Sequence, residues 1–276
     1  MCSSQGYRSG FVIASAPDGT RLRYLVEGAG PPIALVGGKS SSIEGAWWRY
    51  LPALARRHRV IAFDNRGAGQ SDKPDRPYTI RLLADDALTI LRAAGETSAH
   101  WFGLSLGGMV LQELALAHPE AVRSLILGAT HCGGRQATQP LSAEEESALA
   151  GSPHRRLANL YAPAFLLQHP DWVAEDALRF GKMPLHALAR QDQAAARHQA
   201  CERLRDLACP VLILHGAGDR MIPVDRARQL HALIPGSQLR ILPGGHQFHS
   251  ESFAAVLEAV VDFVGRVERA RAQPVG

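Results

Sequence analysis

The chain has 276 residues, 46% hydrophobic and 20% charged, with a formal net charge of +4. That length and apolar content support a sizeable core in one large domain and exclude a disordered chain. The basic residues are scattered, and the short clusters at Arg56, Arg57, Arg59 and at Arg155, Arg156 come without an aromatic platform; a solvated surface accounts for them, and no nucleic-acid partner is expected.

Phe11 to Ala14 and Leu22 to Val26 alternate apolar and polar residues around Pro17-Asp18-Gly19-Thr20, which predicts an N-terminal hairpin. Ile33 to Val36 is an apolar run ending in Gly37-Gly38, Trp47 to Ala55 has helical spacing, Val60 to Phe63 is a second buried strand, and Ile80 to Ala93 is an amphipathic helix. Ala99 to Gly103 predicts a short buried strand, and Leu106 to His118 a helix stopped by Pro119. Further along, strands are expected over Ala121 to Leu127, Val211 to Leu214 and Leu239 to Leu242, and helices over Val224 to Leu233 and Phe253 to Val267. Such alternation predicts βα units on a mostly parallel sheet, covered by helices on both faces.

The alternation breaks between about Cys132 and Arg205, where only helical patterns occur, among them a capping-box start at Ser142-Ala143-Glu144-Glu145 and an alanine-rich stretch from Pro184 to Ala196. The chain therefore divides into a first core part (1–131), an inserted helical cap (132–205) and a second core part (206–276). A cap emerging between two strands lies over their carboxyl ends, where open α/β sheets bind ligands. Its apolar residues Leu160, Phe165, Leu166, Trp172, Phe180 and Met183 either line an acyl pocket or hold the cap together.

Ser105 stands between two glycines in Gly103-Leu104-Ser105-Leu106-Gly107-Gly108, at the junction of a predicted strand and a predicted helix. This is the nucleophile-elbow arrangement, whose tight turn needs glycine where a Cβ would clash. The pattern alone is common, so its context decides. A serine hydroxyl needs a histidine to take its proton and a carboxylate to fix that histidine's tautomer. Asp219 falls in the loop after Val211 to Leu214, and His246, preceded by Gly244-Gly245, in the loop after Leu239 to Leu242. Both loops open at the edge of the sheet where Ser105 lies. His249 is the nearest rival to His246, while His100 and His215 read as scaffold residues; Asp219 could instead cap the turn before Ile222-Pro223. The anion that develops on a carbonyl oxygen needs donors in place. The backbone amide of Leu106, at a helix N-terminus, supplies one and that of Lys39 the other.

With Gly37-Gly38, the stretch Asp64-Asn65-Arg66-Gly67-Ala68-Gly69-Gln70-Ser71-Asp72, the elbow, Gly216-Ala217-Gly218-Asp219 and Gly244-Gly245-His246 in that order, the chain resembles the α/β-hydrolase superfamily, in its lidded esterase, lactonase and haloperoxidase-like branch. The resemblance runs from near Phe11 to near Val267. It implies that Asp64 to Asp72 is architectural and that a Ser105–His246–Asp219 triad cleaves an ester, thioester or lactone through an acyl-enzyme. Two departures stand out: Gly37-Gly38 replaces the family's usual His-Gly, and Lys39 occupies an oxyanion position where an apolar residue is common. The lysine side chain either points to solvent or meets a carboxylate, a phosphate or a developing anion. Elimination, acyl transfer or perhydrolysis by the same triad, or a ligand-binding sensor with negligible turnover, are the alternative functions.

Gly38, Leu160, Phe165 and Trp172 are the candidate substrate contacts, the expected partner is a small molecule, anionic or carrier-bound, and no metal or organic cofactor is required. Cys2, Cys132, Cys201 and Cys209 form no C-x-x-C pair, so reduced thiols are expected rather than a zinc site or a disulfide framework. Met1 to Gly10 lacks an apolar signal core and no run approaches the length of a bilayer span, which predicts a cytoplasmic protein away from membranes. The sequence leaves oligomeric state open.

Overall fold

The structure, a computed structural model, describes residues 10–134, 138, 160–179 and 183–273. Eight strands form one sheet in the order β1-β2-β4-β3-β5-β6-β7-β8. The hairpin β1 (Val12–Ser15) and β2 (Arg21–Glu27) is antiparallel, and β2 joins β4 (Arg59–Phe63) antiparallel as well. From there β3 (Pro32–Val36), β5 (Ala99–Leu104), β6 (Val122–Gly128), β7 (Val211–Gly216) and β8 (Gln238–Leu242) run parallel. Strands β3, β5 and β7 are buried along their whole length, as apolar runs covered on both faces should be, whereas β8 at the sheet edge is half exposed. This is an α/β-hydrolase fold.

Two apolar cores lie on opposite faces of the sheet. One is closed by α3 (Ile80–Ala93) and α4 (Leu106–Ala117), the other by α1 (Ile43–Trp47), α2 (Tyr50–Leu54) and the long C-terminal helix Phe253–Ala272. The predicted helix over Trp47 to Ala55 is two helices with a break at Trp48-Arg49. Pro52 explains the break: it has no N–H for the Trp48 carbonyl, and its ring would crowd that oxygen. The freed Trp48 and Arg49 side chains turn instead to the insertion. By contrast, α3 runs over the predicted residues, with the Thr79 hydroxyl accepting the Leu82 N–H at 3.0 Å as its cap.

Between β6 and β7 the described residues form helices: α5 (Pro163–Gln168), α6 (Pro170–Arg179), α7 (Leu185–Ala196) and a 3-10 turn at Cys201–Asp206. The capping-box stretch Ser142 to Glu145, together with Arg155, Arg156 and Phe180, lies outside the described residues. Helix α6 is anchored to the core through the buried carboxylate of Asp176, which accepts from Trp48 Nε1 at 3.1 Å, Tyr161 OH at 2.6 Å and the Ser250 hydroxyl, with Arg49 at 3.3 Å. Among the described residues, no helix is long and apolar enough to cross a membrane.

The expectation of reduced thiols is overturned at one pair: Cys132 and Cys201 are joined by a disulfide. Just after β6 the chain forms an isolated antiparallel bridge, Gly133 to Gln199, and the Ala200 N–H donates to the Cys132 carbonyl at 2.8 Å. The two ends of the insertion therefore run side by side and bring cysteines 69 positions apart within 4.9 Å, Cα to Cα. Gly133 permits this approach, since a Cβ there would stand 2.1 Å from the His198 carbonyl oxygen. Local spacing carries no trace of such a contact. Cys209 is a free thiol that burial pushes up to about 11.

Candidate active site

Five loops meet at the carboxyl ends of the parallel strands. The turn from β5 into α4 places Ser105 at φ 52°, ψ −114°, a conformation rarely held by a residue with a side chain. Its neighbours hold it there. The Ser105 N–H donates to Gly128 O at 2.8 Å, and its carbonyl accepts from Gly108 N at 2.9 Å and the Thr130 hydroxyl at 2.7 Å. The crowding expected at the flanking glycines is present, for a Cβ on Gly107 would lie 2.2 Å from Val36 O and one on Gly103 2.6 Å from the Gly107 carbonyl carbon.

Asp219 lies in the loop after β7 with its side chain fully buried. Its Oδ1 accepts the N–H groups of Met221 and Ile222, each at 2.9 Å, and its Oδ2 is 2.8 Å from His246 Nδ1. His215 Nε2 lies 2.9 Å from Ile222 O and 3.4 Å from the same Oδ2. Burial alone would raise the Asp219 carboxyl; the neighbouring His246 charge and the hydrogen bonds from His215, His246 and the Ile222 N–H outweigh it and hold the group well below the usual carboxylate range.

His246 and Ser105 line one cavity of about 130 Å³, together with Gly38, Ser41, Leu160, Met221 and His249. His249 is not the partner of the carboxylate: it is buried beside Tyr50, at a ring-centroid distance of 6.3 Å, and its Nδ1 has no hydrogen-bond partner. His100 is bonded to Ser124 Oγ at 2.8 Å and to Glu268 at 3.0 Å, within the scaffold. Of the candidate substrate contacts, Gly38 and Leu160 are in the cavity wall, whereas Phe165 and Trp172 are not among the lining residues. Trp172 instead donates to Ser250 Oγ at 2.8 Å and stacks under Arg49 at 3.5 Å, and Phe165 packs against Tyr161 and His169. Phe165 and Trp172 thus serve to dock α5 and α6 rather than to line the cavity, with Asp176 drawing α6 onto the core.

Leu106 is the first residue of α4, so its N–H has no partner within the helix. Lys39 is in the loop after β3, which also lines the cavity. The Lys39 side chain is 40% exposed and pairs with Asp192 on α7, Nζ to Oδ1 at 2.6 Å, a carboxylate that is not among the cavity residues. Three residues to which the sequence reading gave no individual role hold this loop or the cavity wall. Asn65 Nδ2 donates to Gly37 O at 2.9 Å, the Gln191 side chain accepts the Ser40 N–H at 2.9 Å, and Met221 lines the cavity. Gln191 had no usable signal, since a lone polar residue on an alanine-rich helix reads as solvated, whereas Asn65 belongs to the Asp64 to Asp72 stretch already read as architectural. The Asp64 to Asp72 stretch is bound up in scaffold contacts. Asp64 accepts from Ile43 N and Gln70 N, each at 2.8 Å, and Arg66 is clamped by both Asp86 oxygens at 2.8 and 2.7 Å.

Burial holds four histidines low: His100, His131, His198 and His249 each to about 4. The unfolded chain binds protons at these sites near the ordinary value of about 6.5, so between that pH and about 4 it carries more protons than the folded state. Their contribution to stability is therefore present above pH 6.5 and lost as the pH falls towards 4. Thermal unfolding followed from pH 7.5 to 4.5 is expected to show the melting temperature falling steadily below about 6.5, and a flat profile would contradict the burial of these rings.

A family model described as alpha/beta hydrolase fold matches residues 32–253. Over 260 residues the chain is 30% identical to the "Putative carbamate hydrolase RutD" of Azorhizobium caulinodans, covering 90% of this chain and 96% of that protein. Among solved structures, a hydrolase from Pseudomonas aeruginosa PA01 superposes with a TM-score of 0.83 at 30% identity, covering 94% of this chain and all of that one. The esterase RhEst1 from Rhodococcus sp. ECU1013 gives a TM-score of 0.78 at 27% identity, covering 93% and 99% of the two chains.

Proposed function

Because the chain belongs to the α/β-hydrolase fold family, we propose that it is a serine hydrolase that cleaves an ester, thioester or lactone of a small organic molecule through an acyl-enzyme. The observation that carries this reading is the 2.8 Å bond between Asp219 and His246, with His246 facing the same cavity as Ser105. Asp219 fixes the proton of His246 on Nδ1 and leaves Nε2 free to accept. The imidazole takes the Ser105 proton as Oγ attacks the carbonyl carbon. The resulting oxyanion is held by the N–H groups of Leu106 and Lys39, and its collapse expels the alcohol or thiol, protonated by His246. Water then enters by the same route, His246 again acting as base, and releases the acid and the free serine. Every step uses groups of the chain itself, with no cofactor.

A cavity of about 130 Å³ is small beside the roughly 300 Å³ at which ligand pockets usually begin, which suits a short acyl group. One second reading has a specific support: the relative named for a carbamate hydrolase points to a carbamate carbonyl as the group attacked. Intact-protein mass measurement after a fluorophosphonate probe tests the nucleophile. The parent is expected to gain one adduct and Ser105→Ala none; labelling that survives the substitution discards Ser105. A panel of short aryl esters, lactones and aryl carbamates then separates the two substrate readings.

A further inference from the structure

The second amide proposed to bind the anion sits in a loop held on one side by the core, through Asn65 Nδ2 to Gly37 O at 2.9 Å, and on the other by the helices between β6 and β7. Ser40, next to Lys39, has φ 61°, a left-handed conformation that a serine adopts only when its surroundings impose it. Its hydroxyl turns back onto the Lys39 carbonyl at 2.6 Å, and its N–H points at the insertion, where Gln191 Oε1 accepts it at 2.9 Å. Gln191 is fully buried on α7 and its amide is used at both ends, because Nε2 donates to the Arg66 carbonyl at 2.8 Å. Arg66 is in turn clamped by Asp86. One side chain of the insertion thus bridges the strained loop after β3 to the rigid loop after β4. The neighbouring Lys39–Asp192 pair spans the same gap, but its side chains are 40% and 50% exposed, so it contributes little beside the buried amide.

We propose that Gln191 is a positioning residue that sets the Lys39 N–H for the oxyanion, so that seating of α7 and completion of the oxyanion hole are one event. The inference rests on the reading of Ser105 as nucleophile and of Lys39 N–H as an oxyanion donor. With Gln191 in place, the Lys39–Ser40 peptide is fixed from outside by the Ser40 N–H bond and from inside by the Ser40 hydroxyl, which restricts the Lys39 backbone and through it the adjoining Gly38–Lys39 peptide that carries the Lys39 N–H. Without the amide, the Ser40 N–H loses its acceptor, the turn is left to the longer 3.2 Å bond from Ser41 N–H to Gly38 O, and the loop relaxes away from the geometry the oxyanion needs. The insertion then acts on turnover through a backbone amide, with no side chain of α7 touching substrate.

Gln191→Met keeps the length and apolar volume of the side chain and removes both hydrogen bonds; Gln191→Glu keeps the acceptor for Ser40 and, held neutral by its burial, donates its carboxyl O–H to the Arg66 carbonyl in place of Nε2. On a short aryl ester, with active sites titrated by a fluorophosphonate, Gln191→Met is expected to lower kcat ten- to a hundredfold, short of the 10² to 10³ typical of losing a donor outright, with KM within about threefold. Affinity for an aryl boronic acid, which forms a tetrahedral anionic adduct on the serine, is expected to fall by a similar factor. Gln191→Glu is expected to recover most of both. A Gln191→Met enzyme with kcat within twofold of the parent, or one whose loss the glutamate does not recover, overturns the proposal. The reading beneath it fails separately, by fluorophosphonate labelling that persists in Ser105→Ala; loss of labelling there together with an unaffected Gln191→Met condemns the positioning role alone.

Discussion

Asp219→Asn is expected to lower kcat on a short aryl ester by about 10⁴ while leaving KM within a few-fold and the fold intact. The asparagine is the same size, and its side-chain oxygen can still accept the Met221 and Ile222 N–H groups that now bond Oδ1 at 2.9 Å each. The second oxygen becomes an NH₂ facing His246 Nδ1, which stands 2.8 Å away. Two donors cannot share that contact, so the imidazole must carry its proton on Nε2, facing the cavity, where it can no longer take one from Ser105. The imidazolium formed during acylation also loses the buried charge that balances it. Activity within tenfold of the parent would show that the carboxylate does not orient the base. Asp219→Ala, which also removes the acceptor of the Met221 and Ile222 N–H groups, tests the turn-capping role weighed for Asp219 from sequence: its melting temperature is expected to fall below that of Asp219→Asn.

Much of this site is legible in the order of the residues because α/β topology converts sequence order into spatial position. A polar residue in the first few positions after a parallel strand must lie at the carboxyl edge of the sheet, and the loops after β5, β7 and β8 carry Ser105, Asp219 and His246. The glycines that read as sites of close approach are such sites, with Gly107 lying against the Val36 carbonyl. The illegible part depends on contacts between segments far apart in the chain. Pro52 interrupts a helical pattern that apolar spacing alone carries through. The roles of Gln191, Asp176 and Asn65 come from what stands opposite them, 125 positions away in the case of Gln191 and Arg66. Phe165 and Trp172 are apolar residues on helices of the insertion, as acyl-pocket residues would be, and nothing in their spacing reveals that the faces they occupy are turned to Tyr161 and Arg49.

Breaking the Cys132–Cys201 bond, by Cys132→Ser with Cys201→Ser or by a phosphine reductant, is expected to be the most destabilising change outside the core. The bond joins residues 69 positions apart at the neck of the insertion. In the chain-entropy account, a closed loop of that length limits the unfolded ensemble by about 4 kcal/mol. For a chain of this size each kcal/mol is worth roughly 2–4 °C, so the melting temperature is expected to fall by about 10 °C. The Gly133–Gln199 bridge and the Ala200 to Cys132 backbone bond keep the neck's course without the sulfurs, so the variant is expected to fold and to stay active at low temperature. The chain has four cysteines, two of them joined as Cys132–Cys201, so thiol titration of the denatured, unreduced protein is expected to rise by two once a reductant is added. No such rise, or a melting temperature indifferent to the reductant, would show that the neck is held by its backbone bonds alone. The parent in reductant and the double serine variant should melt close together, because both restore freedom to the unfolded chain between residues 132 and 201, the variant differing by a hydroxyl in place of the buried Cys132 sulfur.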